Sequence, residues 1–315
     1  MSVALGLDIG GTTLRAALVD SSGGLLKVAK RRIAERTPEA LLHDLAQLID
    51  ELAPIPEGVP LGAGLAAVMR QPQGVVMVAP NLGWTDVPFG ALLRARFGRP
   101  VRLVNDLDAI TMGEATRGAG RGAAHVLCVF VGTGVGMGAV VHGQILEGAS
   151  GMATELGHIK IGSFATGRLC GCGERGCLEA YASGRHLPEL LAEQVASGLS
   201  CPTFAQHRHE PQALTADCIE RAATTGEPAA VALWQETASL LGRAIGNLVT
   251  VFNPQVLVLG GGVLQAAPSL HEATVNEIRA YAARPQLADV TIAKSELGDD
   301  AGLVGAGLLA QTPQR

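Results

Sequence analysis

At 315 residues the chain is long enough for one large domain or for two lobes of ordinary size, each with its own apolar core. With 24 Lys+Arg against 29 Asp+Glu the formal charge is -5, and no run of basic residues offers a stripe for a phosphodiester backbone, so nucleic acid is not an expected partner. The start MSVALGLDIGG lacks a charged region ahead of an apolar core, and no apolar stretch reaches the roughly 20 residues that a bilayer span needs; a cytoplasmic protein without a membrane partner is expected.

VALGLDIGG reads as a buried strand entering a glycine turn, and TLRAALVDSSGGLLKVAKRRI continues it as a β-meander broken by SSGG. In TPEALLHDLAQLIDEL, Thr37 can cap a helix and Pro38 suits its first position. Leu41, Leu42, Leu45, Leu48, Ile49 and Leu52 then make one apolar stripe. LGAGLAAV and RPVRLVND look like strands with a helix through FGALLRARFG between them, which gives βββαβαβ. From His125 the pattern restarts, since HVLCVFVGTGVGMGAVVHGQILEG is again strand, glycine turn and returning strand. Leu233, Leu240, Leu241, Ile245, Leu248 and Val249 follow at helical spacing before the strand PQVLVLGGGV. An α/β chain built on a duplicated unit is the expectation. The polar segment SGLSCPTFAQHRHEPQ has neither periodicity and reads as an inserted surface loop.

The glycine turns are the first candidates for chemistry. In LDIGGTT, Gly10 and Gly11 leave backbone N–H groups uncovered, Thr12 and Thr13 add hydroxyls, and Asp8 sets a carboxylate at a strand end. Such a turn can cradle phosphate, with Asp8 reaching a magnesium ion, or it can be an ordinary hairpin. It is neither a Walker loop nor a dinucleotide fingerprint, since no Gly-Lys-Ser/Thr follows and no helix opens on it. A second turn carrying Gly132, Thr133 and Gly134 in an equivalent context suggests opposed clamps on one polyphosphate. A third, at Gly261 and Gly262, could admit a flat base or simply require positive φ. VRLVNDLDAI ends a strand at Asn105 and Asp106. Asp106 is either a helix cap or a general base for a hydroxyl nucleophile, with Asp108 as its rival.

Glu155 and His158 are three apart and would share one face of a helical turn. His158 with Cys170, Cys172 and Cys177 supplies the donor set of a closed tetrahedral zinc site; free thiols are the alternative. A disulfide between cysteines one residue apart would be strained, and a redox pair needs two intervening residues. Four protein ligands leave zinc no open position, so its role would be structural. Glu179, two residues past Cys177, either accepts hydrogen bonds from a polyol or opens a helix as a solvated acid.

LDIGGTTLRAALVD, PNLGWTDVPF, VNDLDA, VGTGVGMG, GASGMATELGHI, CGCGERGCLE and NPQVLVLGGGV, in this order over nearly the whole chain, resemble the bacterial sugar kinases of the ROK family, most closely its glucokinases. The resemblance implies an actin-like ATPase (ribonuclease H-like) α/β fold with duplicated βββαβαβα lobes and an intervening cleft. Residues 1–107, completed by a C-terminal helix 301–315, would form a small lobe, and 108–300 a large lobe bearing a knuckle at 158–177. It implies ATP-dependent phosphorylation of a hexose at the 6-hydroxyl, glucose first, with N-acetylmannosamine and N-acetylglucosamine as alternatives.

Carried over by position, the resemblance makes Asp106 the base, with Asn81, Asn105, Glu155, His158 and Glu179 on the sugar. Asp8, Gly10, Gly11, Thr12, Thr13, Gly132, Thr133, Gly134, Gly261 and Gly262 would hold ATP with Mg2+. His158, Cys170, Cys172 and Cys177 would hold structural Zn2+, and a homodimer is expected. The family also contains sugar-sensing repressors with a winged-helix domain ahead of the kinase-like part. With the first turn beginning at Asp8, the expectation is an enzyme without such a domain.

Overall fold

The computed structural model of the protein describes residues 2–312. Strands β1 (Val3–Ile9), β2 (Thr13–Asp20) and β3 (Leu25–Arg32) form the expected antiparallel meander, with Asp8 opposite Arg15. Helix α1 (Pro38–Glu51) begins as its sequence directs: the Thr37 hydroxyl accepts the Ala40 N–H at 3.3 Å, and Leu41, Leu42, Leu45, Leu48 and Ile49 are buried. Next come β4 (Leu61–Leu65), β5 (Val68–Arg70), β6 (Val75–Ala79), β7 (Trp84–Val87), α2 (Phe89–Phe97), β8 (Val101–Asn105) and α3 (Asp106–Arg117). The strands order as β3-β2-β1-β4-β8, with β1, β4 and β8 parallel. β5, β6 and β7 make a separate antiparallel sheet that the βββαβαβ reading lacks. Its strands are only three to five residues long, too short for periodicity to declare them.

The second half repeats the plan. β9 (Val126–Val131), β10 (Val135–Val141) and β11 (Gln144–Ile145) are followed by α4 (Glu179–Ala182), α5 (Leu187–Ala196), α6 (Pro202–Gln206), α7 (Ala216–Thr224), α8 (Pro228–Phe252) and β12 (Val256–Gly260). Then come α9 (Gly262–Ala266), α10 (Pro268–Tyr281), α11 (Arg284–Asp289), β13 (Thr291–Lys294) and α12 (Ala301–Ala310). The order β11-β10-β9-β12-β13 matches the first sheet strand for strand. The segment read as a surface loop is structured: α6 lies in it, and the Glu227 carboxylate accepts the Thr203 N–H at 3.0 Å and the Thr203 hydroxyl at 2.7 Å. That tie spans 24 residues and has no local signature.

Two compact units result. The first comprises residues 1–127, 138–154 and 295–315, the second residues 128–137 and 155–294. The first unit passes the expected limit at 107 because α3 packs on α12, which also covers β1 and β4. Contact is at backbone distance: a Cβ at Gly6 would lie 2.3 Å from the Leu303 carbonyl oxygen, and one at Gly62 1.9 Å from that of Ala306. The helix expected over 301–315 ends at Ala310, and residues 313–315 lie outside the described residues. In the second unit the core is α8 against α10, α7 and α5, with Leu233, Trp234, Leu241, Ile245 and Val249 buried. Glu220 knits this core, accepting from Trp234 Nε1 at 2.9 Å, the Ser269 hydroxyl at 2.6 Å and the Ser269 N–H at 2.9 Å.

Candidate functional site

In the first unit the parallel register puts Ile9 beside Leu65 and Leu65 beside Asn105, so Asp8 and Asp106 stand at the same, carboxyl end of the sheet. That end is where open α/β sheets receive ligands. The first glycine turn is closed by Gly10 N–H on the Thr13 carbonyl at 3.0 Å, and Arg36 Nε donates to the Gly11 carbonyl at 3.2 Å. Trp84 Nε1 in turn fixes Arg36 through its carbonyl at 2.6 Å. The β6–β7 turn brings Asn81 against this loop, since a Cβ at Gly11 would meet the Asn81 Cβ at 3.1 Å.

Asn105 caps α3, its Oδ1 accepting the Leu107 N–H at 2.8 Å while its Nδ2 donates to the Ala67 carbonyl at 3.1 Å. The cap, for which Asp106 was the sequence candidate, is thus Asn105; Asp106 Oδ1 also receives the Leu107 N–H at 3.0 Å. Asp106 is partly exposed whereas Asp108 is 8 % exposed, which favours Asp106 as the carboxylate a substrate can reach. Burial raises the Asp8 carboxyl from its ordinary 3.8 to about 6, against the attraction of Arg15 and with the help of Asp299.

In the second unit the Gly132–Gly134 turn adjoins the third glycine turn: a Cβ at Gly132 would lie 3.9 Å from the Gly262 nitrogen. Gly261 has φ 92°, and a Cβ there would fall 2.4 Å from the Val131 carbonyl oxygen, so both close approach and backbone conformation require glycine. Glu155 starts the short 3-10 turn Leu156–His158, and burial raises its carboxyl, opposed by His158 and reinforced by Glu179.

His158, Cys170, Cys172 and Cys177 converge, with one donor atom of each within 4.8 Å of the others. Cys172 Sγ lies 3.7 Å from Cys177 Sγ, and Cys170 Sγ lies 3.8 Å from His158 Nδ1. A tetrahedron with metal–sulfur bonds of about 2.3 Å has edges of about 3.8 Å, so the donor set fits zinc. Lys160 Nζ donates to Cys177 Sγ at 2.9 Å and pairs with Glu174, a cation suited to a thiolate cluster. Burial pushes the Cys170 thiol up to about 12, a proton that a coordinating metal would displace.

Within each unit the expected residues therefore gather: Asp8, Gly10, Gly11, Thr12, Thr13, Asn81, Asn105 and Asp106 in the first, the remainder in the second. Arg15, Arg36 and Lys160 escape a sequence reading. Arg15 could have been found from the hairpin register that sets it opposite Asp8; the other two bind through long-range contacts.

The chain matches the ROK family model over residues 4–313. It is 34% identical to a glucokinase of Streptomyces coelicolor, over 99% of both chains. Among solved structures it is similar to a ROK family glucokinase from Streptomyces griseus in complex with glucose and AMPPNP, with TM-score 0.78, 30% identity and coverage of 98% of this chain and 99% of that one. A ROK hexokinase from Thermus thermophilus gives TM-score 0.80 at 32% identity, covering 98% and 97%. The two like-ordered sheets and these neighbours identify the actin-like ATPase fold. Matched from its first strand to the end of its last helix, the chain belongs to the ROK family.

Proposed function

We propose that this chain is an ATP-dependent hexose kinase that phosphorylates the 6-hydroxyl of glucose. The observation that carries the reading is the pairing of a substrate-accessible Asp106 with the Asp8–Thr13 glycine turn at one end of one sheet. The full-length likeness to a glucokinase that binds glucose and AMPPNP supports it. Asp106 takes the proton of the sugar 6-hydroxyl while that oxygen bonds to the γ-phosphorus, the bond to the bridging oxygen breaks and ADP leaves. Such a reaction asks mainly for alignment and charge stabilisation.

Asn81, Asn105, Glu155, His158 and Glu179 hold sugar hydroxyls. Gly10, Gly11, Thr12 and Thr13 line the phosphates, as do Gly132, Thr133 and Gly134, while Gly261 and Gly262 flank the nucleoside and Asp8 serves Mg2+. His158, Cys170, Cys172 and Cys177 hold Zn2+, which supplies rigidity to the loop that carries Glu179 and chemistry to no step. The proposal extends to a cytoplasmic homodimer, which light scattering on the purified protein tests. A coupled ADP-release assay over hexoses and N-acetylhexosamines tests the activity. Glucose should lead; turnover only with an N-acetylhexosamine would reassign the substrate, and turnover with none would end the kinase reading.

A further inference from the structure

One short stretch of chain grips the second glycine turn. Between Glu179 and Arg185, Glu179 Oε2 accepts the Val135 N–H at 3.1 Å, the Gly184 N–H donates to the Gly132 carbonyl at 2.8 Å, and the Arg185 N–H donates to the Thr133 carbonyl at 3.3 Å. Gly132, Thr133 and Val135 are thus held from outside the turn, and Gly134 is held within it, its carbonyl accepting the Gly132 N–H at 2.9 Å. The fit leaves no slack, because a Cβ at Gly134 would sit 2.5 Å from Glu179 Oε2 and one at Gly184 would sit 2.8 Å from the Gly132 carbonyl oxygen. Gly157, beside His158, is wedged the same way, its missing Cβ lying 2.1 Å from the Val135 carbonyl oxygen and 3.5 Å from the Glu179 Cβ. The other carboxylate oxygen, Oε1, faces Cys170 Sγ at 3.7 Å. A carboxylate serving only a sugar hydroxyl needs no bond to a backbone donor of a phosphate turn.

We propose that Glu179 is a positioning residue for the phosphoryl donor: its carboxylate fixes the Gly132–Val135 turn in the arrangement that receives the polyphosphate, apart from any contact with sugar. The inference rests on the reading of this turn as a polyphosphate cradle. A turn of small residues has many conformations, and only the fraction with its N–H groups correctly aimed binds; apparent affinity falls by that fraction. Removing the acceptor leaves the Val135 N–H, on a residue only 6 % exposed, without its side-chain partner, and favours other arrangements of the turn.

The test is AMPPNP–Mg2+ binding by calorimetry with no sugar present, a readout that a purely sugar-binding Glu179 would not move. Glu179→Ala should weaken binding about fivefold or more, while Glu179→Gln, which keeps an acceptor oxygen and loses a charge that repels phosphate, should bind within about threefold of wild type or tighter. Gly184→Ala leaves Glu179 untouched and displaces the same turn from its other side, so it should also weaken binding, which covers the case of a Glu179→Ala protein that does not fold. Unchanged affinity in Glu179→Ala, or in Gly184→Ala where Glu179→Ala does not fold, overturns the inference. Equal loss in the Ala and Gln variants does so too, by making charge rather than the hydrogen bond responsible. Wild-type protein that binds no AMPPNP overturns the cradle reading itself.

Discussion

Asp8 and Arg15 are partners in the β1–β2 ladder, yet the Arg15 guanidinium is bound elsewhere, to the Asp300 carboxylate at 2.5 Å and to the Asp299 carbonyl. Burial consequently outweighs the attraction of Arg15, and the Asp8 carboxyl titrates at about 6. An acid whose pKa rises on folding keeps its proton in the folded protein after the unfolded chain has lost it. Its contribution to stability is therefore neutral below the ordinary value of 3.8, falls through the interval up to about 6, and stays lowered above it. Asp8→Asn should stabilise the ligand-free protein at pH 7.5 by about 1–3 kcal/mol and by almost nothing at pH 3.5. Urea unfolding of both proteins at the two pH values checks this, and an equal difference at both would refute it. The same variant should lose at least about tenfold in Mg2+–ATP affinity if, as proposed, Asp8 serves the metal.

Asp106→Asn should lower kcat by at least about 100-fold while leaving glucose binding within a few fold, since the amide occupies the same space and cannot take a proton. Steady-state turnover combined with tryptophan fluorescence titration by glucose separates the two effects. Turnover close to wild type would remove Asp106 from the role of base.

The cluster of His158, Cys170, Cys172 and Cys177 should bind one zinc per chain, measurable by elemental analysis of the purified protein. Cys172→Ser should lower the metal content and the Tm together. Zinc release to a chromophoric chelator should accelerate as pH falls, because protons compete for the thiolates. Lys160→Met, which removes the donor to Cys177 Sγ, should weaken zinc by about 10-fold, the usual effect of losing a partner of a ligand. Protein purified without chelators and found free of zinc would contradict this reading.

Glu114 is wholly buried and accepts the Ser295 hydroxyl at 2.6 Å and the N–H groups of Leu297, Ala119 and Glu296 at 3.0, 3.0 and 3.1 Å. Glu114→Ala strands several of these donors and should cost about 3–5 kcal/mol, whereas Glu114→Gln keeps one oxygen and should cost less. Chemical unfolding monitored by circular dichroism measures both, and a cost below about 1 kcal/mol for the Ala variant would refute the account.

How far the molecule is legible in its sequence depends on the range of the interactions. Helix α1 is legible because Thr37, Pro38 and the leucine stripe act within one or two turns of one another. The meander and the restart of its pattern in the second half follow from runs of apolar residues bounded by glycine, whereas the like strand order of the two sheets emerges only from the fold. The Cys170, Cys172 and Cys177 cluster is legible from its close spacing, and His158 joins it across 12 residues because its turn lies alongside the knuckle. By contrast, the small β5–β7 sheet has strands too short to carry a period, and α6 is held by Glu227, far along the chain. Asn105 illustrates a different obstacle. Its neighbour is the more conspicuous acid, yet the amide takes the capping position because one side chain can serve both the Leu107 N–H and the Ala67 carbonyl. Glu179 is conspicuous for its position after a cysteine, but its bond to Val135 spans 44 residues and emerges only from the folded chain.

The seating of α12 on the bare backbone at Gly6 and Gly62 bears on how the protein is made. β1 leaves the ribosome well before α12, so the sheet that β1 begins lacks the cover of α12 until residues 301–310 have emerged. The unit formed by residues 128–137 and 155–294 has all its parts before then and can be complete while its neighbour waits. Nascent chains stalled before residue 301 should therefore present an open apolar sheet, a natural target for chaperones.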